Sequence, residues 1–261
     1  MRIAVTGTAN TGKTTLISDM VEMWQNYKSN NYTYRELLKQ DNLLHSKQAN
    51  KDTQWTILNN MVDELQKYTA TDYVIFDRSP LDNLAYSLWA YDKGLGNIDD
   101  EFIGKCIPIV RESLRFLDIV FFTPITRASP IVIVEDGTRE TCSEFIGEID
   151  NILKSITEQY NCALEKSIIF PKDDCPGVIE IFGKREERIY LIKQYLNENG
   201  DLYGAEFDNA LQFDEAALKL ADLLGQQQDS NASENFMKDQ QKMVGQFMKK
   251  EAKKTNKALR R

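Results

Sequence analysis

Arg2-Ile3-Ala4-Val5-Thr6-Gly7-Thr8-Ala9-Asn10-Thr11-Gly12-Lys13-Thr14-Thr15-Leu16-Ile17 is the stretch on which the fold turns. Residues 2–6 form a short β-prone run, and Leu16, Ile17, Met20, Val21 and Trp24 recur at helical spacing after the loop. Between them Gly7 to Thr14 spell G-x-x-x-x-G-K-[ST]. A strand, a glycine-rich loop and a helix in that order aim backbone N–H groups and a helix N-terminus at one point, which suits a chain of phosphates. Gly7 and Gly12 let the backbone turn around an anion with no Cβ in the way. Thr8, Asn10, Thr11 and Thr15 complete the expected cradle. Lys13 is placed to reach the β- and γ-phosphates of a nucleotide, and the Thr14 hydroxyl to ligate Mg²⁺.

Further β-prone runs follow. Tyr32-Thr33-Tyr34 reads as a short second strand, Tyr73 to Phe76 as a buried one ending at Asp77, Asp118 to Thr123 as a fourth and Val178 to Phe182 as a fifth. Near-continuous apolar strands separated by helices predict an α/β fold, a parallel five-stranded sheet with helices on both faces. Helices are expected over 53–67, 99–116, 185–196 and 214–224. Pro108 should kink or interrupt the second. Another is expected to open on a capping box of Thr141 and Glu144 and to bury Phe145, Ile149, Ile152 and Ile156.

The 261 residues suit one large domain, or one domain with a tail. We place the domain at 1–224, a linker of mobile composition at 225–235 and a basic tail at 236–261. Residues 249–261 carry seven basic residues and one acid. Since the whole chain is at −8 and this stretch at +6, the other 248 residues carry −14. An acidic body is a poor nucleic-acid binder, but the tail could touch phosphate or dock as a helix. No apolar run approaches a membrane span and a first strand at residue 2 leaves no room for a signal peptide, so a cytoplasmic location is expected. Cys106, Cys142, Cys162 and Cys175 show no metal-site spacing and read as buried free thiols. With His45 the single histidine, a catalytic triad or histidine metal cluster is implausible.

Asp77 emerges at the C-terminal edge of its strand, where ligands bind in open α/β sheets, and it fits a Mg²⁺ carboxylate. Arg78 beside it could pair bidentately with a phosphate.

Gly7 to Thr14 together with Asp77-Arg78-Ser79 resembles the P-loop nucleoside and nucleotide kinases: deoxynucleoside kinases, thymidylate kinases and nicotinamide-riboside-kinase-like proteins. Asp77-Arg-Ser-Pro-Leu-Asp-Asn-Leu-Ala-Tyr86 is similar to the riboside-kinase-like group, frequent in bacteria and their phages. The resemblance covers about residues 1–200. It implies ATP and Mg²⁺ as cofactors and a lid at about 124–142. A viral member would work in the host cytoplasm. It implies that Glu36, after Tyr34-Arg35, acts as general base on the acceptor hydroxyl. Arg139, in Asp136-Gly137-Thr138-Arg139, is the first choice for the lid arginine that neutralises transition-state charge, with Arg127 second. Gly183-Lys184-Arg185 with Arg188 stands where the superfamily holds adenine. Gln54, beside Trp55, matches the glutamine that binds the base, and Asp82, Asn83 and Tyr86 could face the same cavity.

The expected activity is transfer of the ATP γ-phosphoryl group to a nucleoside or nucleoside monophosphate. Two rivals stay open. One is a phage kinase acting on a hydroxymethylated pyrimidine in DNA, with the basic tail supplying DNA affinity. The other is an ATP-dependent switch with no phosphorylated acceptor. The oligomeric state is not legible, because a dimerisation helix and a core helix share one pattern.

Overall fold

The computed structural model describes residues 1–30, 50–127 and 140–203. The chain divides into two compact units, Met1–Asp201 and Leu202–Arg261. In the first unit, strand β1 (Arg2–Thr6) leads through the glycine loop into helix α1 (Lys13–Met23) and then β2 (Lys28–Ser29). Next come α2 (Lys51–Gln66), β3 (Val74–Asp77), α3 (Pro80–Asp92) and α4 (Asp100–Ser113). The last elements are β4 (Ile119–Phe122), α5 (Ser143–Ala163), β5 (Gly177–Glu180) and α6 (Arg185–Ile192).

The five strands form one parallel sheet in the order β2-β3-β1-β4-β5. β1 is central, with Val5 opposite Asp77 on one side and Phe121 on the other. Successive strand residues point to opposite faces. Ile3, Ala4 and Val5 are nevertheless all fully buried, as are all four residues of β4. Both faces of the sheet are therefore covered, which is why these strands read as unbroken apolar runs. The helices pack in two groups, α1 with α6, and α2 and α3 with α4 and α5. The expected parallel five-stranded architecture is thus what the chain adopts.

Several boundaries differ from expectation for local reasons. The second described strand is Lys28–Ser29, whereas Tyr32 to Tyr34 lie outside the described residues. Pro108 does not interrupt α4. Pro108 and Gly104 one turn earlier are both exposed, so water can meet the carbonyl that lost its partner. The Thr141–Glu144 capping box is not formed: Cys142 is the N-cap with no side-chain cap bond. The Glu140 carboxylate instead accepts from the Thr141 and Cys142 N–H groups at 3.1 and 2.9 Å. α6 ends at Ile192 rather than Leu196. The helix expected at 214–224, the linker and the basic tail lie outside the described residues. Of the four thiols expected to be buried, only Cys106 is, its pKa pushed up to about 12 by burial, while Cys162 is exposed.

Candidate functional site

The loop between β1 and α1 is held in shape from outside. Gly12 takes a left-handed conformation, φ 81°, as it caps α1, and Asn10 does so at φ 62°. At Gly7 the constraint is close approach, since a Cβ there would stand 2.3 Å from the Thr123 hydroxyl. That hydroxyl lies 2.9 Å from the hydroxyl of Thr11 and donates to the Thr6 carbonyl at 3.1 Å. Thr8 donates to the Ile146 carbonyl on α5 at 3.0 Å, and Asn10 to the Glu140 carbonyl at 2.8 Å. The loop is thus pinned to β4 and to α5. Lys13 is buried, its ammonium donating to the Thr8 carbonyl at 2.6 Å, while Thr14 and Thr15 are exposed at the mouth.

Asp77 closes the other side. Because β3 runs parallel to β1, its last residue comes level with the loop, and the Thr14 hydroxyl donates to Asp77 Oδ2 at 3.1 Å. A hydroxyl and a carboxylate are the hard oxygen donors that Mg²⁺ takes from proteins, with water and phosphate oxygens completing its octahedron. The pair fits that ion. Among the described residues there is no cluster of three or more His, Cys, Asp or Glu that could form an all-protein metal cage.

Arg78 turns back on the structure. Its backbone sits at φ 92°, a conformation rare for a side chain with a Cβ, held by an N–H bond to the Val5 carbonyl at 3.0 Å. The buried guanidinium donates to Asp82 Oδ1 at 3.1 Å and to the Gly7 carbonyl at 3.4 Å, and lies 5.4 Å from the Tyr86 ring centre. Asp82 Oδ1 also accepts the Gly7 N–H at 3.2 Å, and Oδ2 accepts the Ser79 N–H at 2.9 Å. Ser79 in turn caps α3 and meets the Thr6 hydroxyl at 2.6 Å. Asp82 therefore joins the phosphate loop, Arg78 and the start of α3. The sequence placed Asp82 near the cavity but did not reveal this bridging part. Its signal was the Ser-x-x-Asp spacing of a capping box with proline at the first helical position.

Next to this lock stands an amide pair. Gln54 on α2 is buried, contrary to the usual exposure of a helical glutamine, and its Oε1 accepts from Asn83 Nδ2 at 2.7 Å. Asn83 Oδ1 and the Ser87 hydroxyl, one turn apart on α3, are buried with no hydrogen-bond partner among the described residues. Trp55 points away, exposed and edge-on to Phe102.

On the α6 side, Arg188 donates to the Thr11 carbonyl at 2.5 Å and to the Gly183 carbonyl at 2.9 Å, and burial lowers its pKa. Arg185 instead grips Asp19 on α1 with bonds of 2.5 to 3.1 Å. Arg127, past β4, is exposed. Glu36, Arg139 and His45 lie outside the described residues. The fold thus gathers Gly7 to Thr15, Asp77, Arg78 and Arg188 at the C-terminal edge of β1 and β3.

A family described as an AAA domain matches residues 2–171. No curated protein matches the chain significantly. Among solved structures, deoxyadenosine kinase from M. mycoides with its products dCMP and dCDP is 19% identical with a TM-score of 0.51, over 74% of this chain and 96% of that one. The NadR protein in complex with NR is 17% identical with a TM-score of 0.49, over 69% of this chain, which spans only 45% of NadR. Thymidylate kinase from Candida albicans is 14% identical with a TM-score of 0.48, over 77% of this chain and 93% of that one. The first of these shows a shared fold, the P-loop kinase fold expected from the sequence. No helix among the described residues is long and apolar enough to cross a membrane.

Proposed function

The chain belongs to the AAA-domain family, and from that premise we propose that it transfers the γ-phosphoryl group of ATP to a nucleoside or nucleoside monophosphate. The observation that carries this reading is the buried amide pair beside the phosphate loop. Asn83 Oδ1 and Ser87 Oγ are buried polar atoms with no hydrogen-bond partner among the described residues. Such groups cost about 1–3 kcal/mol each unless a ligand satisfies them. A nucleotide-gated switch has no use for that arrangement, whereas an acceptor with a polar base does.

Each residue then has a task. The loop N–H groups and Lys13 bind the donor phosphates, and Lys13 exchanges its Thr8 carbonyl for phosphate oxygens. Thr14 and Asp77 would hold Mg²⁺, which when bound draws negative charge from the phosphates. Arg78 fixes the loop against α3 through Asp82, and its guanidinium adds positive charge beside the transferring group. Arg188 holds the far side of the loop at Thr11. Glu36 or Asp77 orients the acceptor hydroxyl, and Arg139 or Arg127 neutralises the charge that develops. The protein's contribution is positioning and electrostatics, with no covalent intermediate required.

An acceptor screen with labelled ATP tests this, spanning free nucleosides, monophosphates, nicotinamide riboside and hydroxymethylated DNA. Label transfer to a free nucleoside or monophosphate is expected. Label only in modified DNA would redirect the reading to a polymer. Slow release of phosphate with every acceptor would replace it by an ATP-gated switch.

A further inference from the structure

Helix α5 carries a buried charge that no step above uses. Asp150 is 1% exposed. Its Oδ1 accepts the Ile125 N–H at 3.0 Å, and its Oδ2 pairs with Lys154 at 2.7 Å. Lys154 also donates to the Ile125 carbonyl at 2.7 Å, so both backbone polar groups of that residue, just past β4, are tied to α5. The same helix anchors the phosphate loop. Thr8 bonds to the carbonyl of Ile146, one turn before Asp150, and the Lys13 ammonium bonds to Thr8. Residues four apart share a helix face, so Asp150 stands one turn along from that anchor, within electrostatic reach of the Lys13 ammonium.

We infer that Asp150 is a positioning residue that sets the charge of the phosphate pocket, holding Ile125 in place while its carboxylate offsets the Lys13 ammonium. This rests on the loop binding a nucleotide, as proposed above. The charged groups around it are Lys154 on its own helix, Lys13 on α1 and Glu180 at the end of β5. Burial raises the Asp150 pKa, and Lys154, the Ile125 N–H and Lys13 each oppose that rise. A polyanion arriving at Lys13 weakens the last of these and adds repulsion, so the carboxylate takes up a proton more readily when nucleotide is bound. Affinity and protonation are linked, so the pocket binds a nucleotide less tightly when Asp150 is ionised.

The test uses the full chain, with ADP and inorganic pyrophosphate titrated by calorimetry in buffers of different ionisation heat. Wild type should take up protons on binding just above the Asp150 pKa. Asp150→Asn keeps the acceptor for Ile125 but removes the charge. It should bind pyrophosphate about threefold tighter or more at neutral pH, and its affinity should lack the acid-side component that wild type shows. Asp150→Glu should restore the wild-type pH profile in part. Equal affinities and equal proton uptake in wild type and Asp150→Asn would overturn the inference while leaving phosphoryl transfer intact. Failure of wild type to bind either ligand would sink both. Should Asp150→Asn not fold, proton uptake by wild type decides alone: its absence overturns the inference, because the linkage needs no variant.

Discussion

Asp82→Asn is the substitution whose consequence the structure specifies most closely. The carboxylate is 1% exposed and the Arg78 side chain 7%. Asparagine matches it in size, but it offers one oxygen where Asp82 uses two. Facing Arg78 and Gly7 with that oxygen turns its NH₂ onto the Ser79 N–H and loses the cap of α3. Facing Ser79 turns the NH₂ onto the guanidinium. Either way the buried Arg78 loses the carboxylate that pairs with it. Removing one partner of a buried pair costs about 3–5 kcal/mol. At roughly 2–4 °C per kcal/mol for a unit of this size, the melting temperature should fall by about 6–20 °C. Thermal unfolding followed by circular dichroism reads the shift. A double-mutant cycle with Arg78→Met isolates the pair, because removing both charges should cost well below the sum of the two single losses. A shift under 2 °C for Asp82→Asn, or additive costs in the cycle, would refute the assignment of Asp82 as the bridge.

Gly7→Ala should shift the loop, because its Cβ would press on Thr123 at 2.3 Å. Nucleotide affinity should fall about 100-fold, measured by fluorescent ADP titration, with a stability loss of about 1–3 kcal/mol. Asp77→Asn should raise the Mg²⁺ concentration for half-maximal turnover about 10–100-fold, read from initial rates across a Mg²⁺ series. Asn83→Leu should raise the acceptor KM about tenfold with a much smaller change in the ATP KM, since it removes an amide of the proposed acceptor side together with its bonds to Gln54. Asp150, its pKa raised by burial, binds its proton more tightly folded than unfolded. Its contribution to stability is therefore greatest below the unfolded pKa and is lost as pH rises through the folded one. Asp150→Asn should thus melt above wild type at pH 7, the gap closing towards pH 4, by thermal scans across that range.

The geometry of the phosphate loop was legible in the sequence because its determinants are local. Residues 2–6, the two glycines and Lys13-Thr14 fix strand, turn and helix start within one short segment, and Asp77 is marked by the apolar run before it. What escaped depends on distant partners. Asp150 sits beside the apolar stripe of an amphipathic helix, where a carboxylate passes for a solvated position. Its partner Ile125 is 25 residues away, and the burial that gives it meaning arises only when α5 packs on the loop. The Gln54–Asn83 pair was hidden for the same reason, because nothing near Gln54 in sequence announces Asn83, 29 residues on. Pro108 shows the converse. A strong local rule predicted interruption, yet a proline on the exposed face costs one bond that water replaces, and the apolar face formed by Phe102, Cys106 and Val110 holds the helix together.

The same contrast bears on how the two halves of the site communicate. On the proposed phosphoryl-transfer reading, donor and acceptor sides meet through one carboxylate, since Asp82 takes the N–H of Gly7 at the loop and the N–H of Ser79 at the head of α3. Asn83 and Ser87 follow on that same helix. A ligand that tilts α3 by engaging them must strain the Asp82 bonds, and so must a phosphate that moves the loop. If the two sides are coupled this way, occupancy of one changes the affinity of the other by equal factors in both directions. Asp82→Asn, at temperatures where it stays folded, should reduce that factor towards one, whereas Asp150→Asn should leave it unchanged, because Asp150 bonds to Ile125 and Lys154 and, among the described residues, makes no hydrogen bond to α3.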